Sequence, residues 1–116
     1  MKTNGFFRIA FTGATGSGLG LLVLHNGSVV GADTGGGIYD GSYTENPDTQ
    51  ALEFRITMSM PAGGMSVQTG IPLATPISVS ISTSLQQNEI GSSKPKLVQT
   101  PIGPVNVLFA KLRDFP

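Results

Sequence analysis

The chain contains no cysteine. That excludes a disulfide framework, thiolate catalysis and zinc–thiolate sites. Charge is also scarce. Charged residues make up 12% of 116 residues, about half the usual share, and seven Lys and Arg balance seven Asp and Glu. No basic patch exists to neutralise phosphates, so direct nucleic-acid binding is not expected. Low charge weakens colloidal repulsion and favours self-association. No apolar run approaches the length of a membrane span. The N-terminal apolar stretch is interrupted by Arg8 and Gly13, unlike a signal-peptide core. A cytoplasmic protein with no membrane partner is expected.

Helix-compatible sequence is scarce too. Sixteen glycines and eight prolines punctuate the chain, and Ser and Thr are frequent. Long helices have little room among so many breakers. The composition suits short strands joined by tight turns in a single domain, residues 1–116.

The stretch "FTGATGSGLG", residues 11–20, resembles a phosphate-binding loop after a strand, and Asp33 follows Gly13 by twenty residues. In a dinucleotide fold such a loop opens a helix, and the later acid holds a ribose. Only Leu19 to His25 separate this loop from Asn26 and Gly27. A helix there would be too short to cross a sheet and would have no polar face. Asn-Gly is instead the strongest two-residue signal for a type I′ hairpin. Residues 18–33 therefore read as one hairpin, Asp33 as a turn residue, and no cofactor is expected.

Strand signals run the length of the chain. Phe7, Ile9 and Phe11 share a face of 5–12, and Tyr39, Gly41 and Tyr43 share a face of 38–43. In 51–60, Leu52, Phe54, Ile56, Met58 and Met60 alternate with polar or small residues. That is a strand with one dry and one wet face. "MSVQTGI" (65–71) repeats the pattern less fully, and Ile77, Val79, Ile81 and Leu85 alternate with serines in 77–85. Residues 86–104 are polar and rich in breakers, and read as a loop or an edge. Residues 105–112 make a closing strand. The result is an all-β, antiparallel, up-and-down architecture of about eight short strands. A closed or nearly closed barrel removes sticky edges, and a two-sheet sandwich is its rival.

No catalytic set accompanies the serines, and the single histidine, His25, sits beside a hairpin tip without metal partners. A non-enzymatic protein is expected. The methionines Met58, Met60 and Met65 suit core filling or an adaptable cavity wall. If the barrel is hollow, its candidate wall is Phe54, Ile56, Met58, Val79, Ile81, Val107 and Phe109, around a small apolar ligand. Glu45 and Asp48, in a proline-containing loop, are candidates for contact with a protein partner.

The N-terminal pattern carries a resemblance. Gly5, Phe7, Ile9 and Phe11 are followed by Gly18, Gly20, Leu22, Leu24 and Gly27, then Gly31 and Asp33, then Tyr39 and Gly41. Over about the first forty-five residues this resembles the GrlR-like family, small cytoplasmic bacterial negative regulators associated with type III secretion loci. The resemblance implies a lipocalin-like β-barrel, a homodimer and an apolar cavity. It also implies regulation of transcription by contact with a transcriptional activator. In the family an acidic loop after the Tyr-x-Gly strand is implicated in that contact. Here that loop holds Thr44, Glu45, Asn46, Pro47 and Asp48.

Overall fold

The computed structural model describes residues 4–14, 16–63, 74–90, 95–101 and 103–116. Eight strands follow one another: β1 (Gly5–Gly13), β2 (Gly16–His25), β3 (Ser28–Asp33), β4 (Ile38–Glu45), β5 (Leu52–Met60), β6 (Ile77–Leu85), β7 (Lys96–Thr100) and β8 (Gly103–Asp114). A single 3₁₀ turn, Gln87–Glu89, precedes β7. No helix among the described residues is long and apolar enough to cross a membrane.

All strand pairs are antiparallel, in the order β6-β5-β4-β3-β2-β1-β8-β7. Read around a circle, that order is the chain order. The barrel closes by pairing its first strand with its last, Phe11 opposite Val107 and Ile9 opposite Phe109. The seam falls between β6 and β7, where no ladder forms among the described residues. The structure is thus a nearly closed, lipocalin-like barrel, and the sandwich alternative is excluded because one continuous sheet supplies the whole wall.

Local chemistry explains each hairpin. Asn26 and Gly27 both take positive φ, 49° and 87°, as a type I′ turn demands. His25 pairs directly with Ser28 across that turn. The β1–β2 connection is tighter than the turn expected at 13–17. The ladder runs out to Gly13 opposite Gly16. At β3–β4, Asp33 Oδ1 accepts the amides of Gly35 at 2.9 Å and Gly37 at 2.8 Å. This is the turn-capping role expected of Asp33.

The polar segment 86–104, expected as a loop or an edge, supplies the terminal strand of the sheet, β7, with only Val98 of it buried. Its neighbour Leu97 is 53% exposed, so no hydrophobic alternation marks it, and pairing with β8 holds it. The strand expected at 65–71, with Met65, lies outside the described residues.

Alternation places Phe7, Ile9, Leu22, Leu24, Val29, Tyr43, Leu52, Phe54 and Leu85 inside. The outer face is divided. On β5 and β6 it is polar, with Arg55 opposite Ser82, Thr57 opposite Ser80, and Ser59 bonded to Ser78 at 3.0 Å. Across the middle of β8, β1, β2 and β3, and at Ile38 of β4, it is more apolar, with Arg8 of β1 set among these residues. Leu108, Ala10 and Leu19 form one row across the strands, and Leu21, Ala32 and Ile38 form most of the next.

Candidate functional site

The interior has a packed end and a hollow end. At the packed end Tyr43 stacks on Phe54 with ring centroids 5.7 Å apart, within the range of favourable aromatic pairs. The Tyr43 hydroxyl donates to Asn4 Oδ1 at 2.9 Å, and the Asn26 amide donates to the same oxygen at 3.0 Å. Phe7, Val29, Leu52 and Leu85 fill the remaining space, each at most 2% exposed.

The hollow end lies toward the β1–β2, β3–β4 and β7–β8 turns. It holds a cavity of about 210 Å³. Its wall is mostly Ile, Val, Met and Phe, with Ile56 and Ile81 on one side and Ile9, Val107 and Phe109 across the β1–β8 closure. The lining mixes short β-branched side chains, Val98, Val105, Val107 and Thr83, with Phe11, Met58, Met60 and Phe109. Strands β6 and β7, either side of the seam, both contribute to the wall.

The cavity mouth is polar. Ser17, Asp33, Thr34 and Gly35 border it, and Phe11 and Gly18 lie at the same rim. A Cβ on Gly18 would come within 2.6 Å of the Phe11 ring, so glycine there lets the ring lie flat across β2. Tyr39, buried, donates its hydroxyl to Asp33 Oδ2 at 2.5 Å. Burial pushes the Tyr39 phenol far above the usual tyrosine range, and the Asp33 carboxylate beside it pushes it further. Tyr39 is therefore a fixed proton donor. Asp33 is the only charged side chain lining the cavity among the described residues.

Of the candidate wall residues, Ile56, Met58, Ile81, Val107 and Phe109 line the cavity. Phe54 belongs to the packed end, and Val79 packs on the core outside the lining. Asp33 and Tyr39 were not among the candidates for the wall. Period two had a signal for both: Val29, Gly31 and Asp33 share one side of β3, and Tyr39 shares the buried face of β4 with Tyr43. Glu45 and Asp48 lie at the opposite, packed end. Glu45 accepts a bond from Gln87 Nε2 at 2.8 Å. Asp48 is exposed on a turn whose amides, its own and that of Thr49, donate to Asn46 Oδ1. His25 is exposed at its hairpin tip, its ring stacked on Phe115 at 3.9 Å. No group of three or more His, Asp or Glu side chains placed to hold a metal occurs among the described residues.

Fold and site define a class: a small up-and-down barrel with a one-ended internal cavity. No protein-family model, curated protein or solved structure matches the chain.

Proposed function

We propose that this protein is a non-enzymatic binding module that takes a small, mainly apolar ligand into the hollow end of its barrel. The observation that carries this reading is the cavity of about 210 Å³ with an aliphatic and aromatic wall. An apolar cavity of about 150 Å³ stays dry and accepts benzene, so a ring with a short side chain is the scale of ligand that fits. Benzene titration followed by methyl NMR tests it. Saturable shifts at Ile56, Ile81 and Val107 are expected. Shifts that never saturate, or that fall on the outer face, defeat the reading.

A second reading rests on the outer wall. Leu19, Leu21, Val30 and Ile38 are each more than 40% exposed and adjoin across β2, β3 and β4. Contiguous apolar surface of this kind marks a contact site for another protein. A GrlR-like negative regulator, homodimeric and docking a transcriptional activator, is the form this reading takes, with Glu45 and Asp48 on a separate loop. Sedimentation of the wild type and of Leu21→Arg tests the self-association. A dimer that the substitution splits supports it, and a wild-type monomer at all concentrations removes it.

A further inference from the structure

We propose that the ligand of the cavity is a small amine: an apolar body in the hollow end with a protonated nitrogen seated at Asp33. This rests on the ligand-binding reading above and adds the chemistry of the head group.

The argument starts from the asymmetry of the lining. The walls are apolar, and the one charged group stands at the mouth. Its interactions account for only part of its capacity. A carboxylate has about four acceptor positions. Two on Oδ1 are taken by Gly35 and Gly37 amides, and one on Oδ2 by the Tyr39 hydroxyl. One position on Oδ2 remains, beside a hydroxyl that does not ionise. Capping the turn does not require the charge, because a neutral Asn oxygen caps amides as well. Nor does a cation offset it. Among the described residues the ion pairs join Lys96 to Glu89 and Lys111 to Asp114, and none includes Asp33. A half-buried carboxylate with no counter-charge among the described residues, at the edge of a low-dielectric space, attracts a cation more strongly than it would in water.

The same charge selects against the commonest apolar ligands. A fatty acid or other carboxylate would place like charge against Asp33 and leave a buried negative pair. A neutral hydrocarbon would fill the cavity but leave the Oδ2 position empty. An ammonium group has three donors and no acceptor. It matches the carboxylate at the mouth, which offers an acceptor position and a full negative charge.

Three probes with similar apolar bodies test this: phenethylamine, n-propylbenzene and 3-phenylpropanoate, titrated by calorimetry and amide NMR. Phenethylamine should bind at least about tenfold more tightly than n-propylbenzene, a difference of about 1.4 kcal/mol, and 3-phenylpropanoate should bind most weakly. Asp33→Asn, which keeps the turn caps on Oδ1 but replaces the oxygen that accepts the Tyr39 hydroxyl, should remove the preference for phenethylamine over n-propylbenzene. In the wild type, phenethylamine should move the Gly35 and Gly37 amides, and n-propylbenzene should not. That measurement stands even if Asp33→Asn does not fold. If n-propylbenzene binds as tightly as the amine, the amine inference falls and the apolar-ligand reading survives. An amine preference that persists in Asp33→Asn, or an amine that leaves Gly35 and Gly37 unmoved, also overturns it. If no probe binds, the ligand reading itself fails.

Discussion

Val29 and Val107 are matched valines in different surroundings. Both point into the barrel. Val29 is completely buried at the packed end, and Val107 lines the cavity. Val→Phe at each site adds the same ring to opposite ends of one interior. At Val29 there is no space, and overpacking costs about 1–3 kcal/mol or more. For a chain of this size about 1 kcal/mol moves Tm by roughly 5 °C, so Val29→Phe should lower Tm by about 5–15 °C. At Val107 the ring enters a void of about 210 Å³. Burying roughly 60 Å² more apolar surface contributes about 1.5 kcal/mol at 25 cal/mol per Å², offset in part by lost rotamer freedom. Val107→Phe should therefore change stability by less than about 1 kcal/mol, with an increase favoured. Thermal unfolding followed by far-ultraviolet circular dichroism, repeated in urea, reads both. Equal losses at the two sites would mean a uniformly packed interior, and the division into two ends would be wrong.

The chain has two tyrosines, Tyr39 and Tyr43, and burial raises the pKa of both, with Asp33 adding to the shift at Tyr39. A raised folded-state pKa contributes stability that is fully present below the unfolded value, about 10, and is lost as pH rises beyond it. Tyrosinate absorbance should stay absent until unfolding, in one cooperative step; gradual ionisation of a folded protein would contradict the burial argument. Gly27→Ala places a Cβ at φ 87° and should cost about 1–2 kcal/mol, read as a lower urea midpoint; an unchanged midpoint would count against the type I′ turn. Gly18→Ala should displace the Phe11 ring, 2.6 Å from the added carbon. Faster exchange of a bound aromatic probe is the expected readout, and an unmoved Phe11 ring resonance would refute it.

The elements that were legible are those whose signal is local. Strands β5 and β6 carry strict alternation, and Asn26 with Gly27 carries its own turn geometry. β7 had no such mark: Val98 is its only buried apolar residue, and the strand exists because β8 offers it a partner. The closure of β1 on β8 spans nearly the whole chain, and no local pattern encodes it. At the site, parity was sufficient to turn Ile56, Met58, Ile81, Val107 and Phe109 inward, but not to tell a filled interior from a hollow one. Phe54 has the same parity as Ile56 and ends in a stack with Tyr43. Asp33 was read by its turn chemistry alone, and that reading obscured its second position, on the inner face of β3.

Hollowness here is a property of side chains rather than of the fold. Eight strands enclose an interior just wide enough for side chains to fill. One wall runs continuously from the packed end to the hollow end, so strand number does not explain the difference. At one end Phe7, Tyr43, Leu52, Phe54 and Leu85 meet across the axis. At the other, shorter side chains, Val98, Val105, Val107 and Thr83, share the lining with Phe11, Met58 and Phe109 and leave a cavity of about 210 Å³. A few large residues would fill the space at little cost, as the Val107 substitution measures. A carboxylate at the mouth of that space has the opposite energetics. It is costly to half-bury without a cation, and the two turn caps use only one of its oxygens. Unfilled volume and a carboxylate without an ion-pair partner among the described residues thus meet at the same end of one barrel. A ligand that supplies both apolar volume and positive charge resolves the two together, and this joint demand favours an amine over either a hydrocarbon or an ion alone.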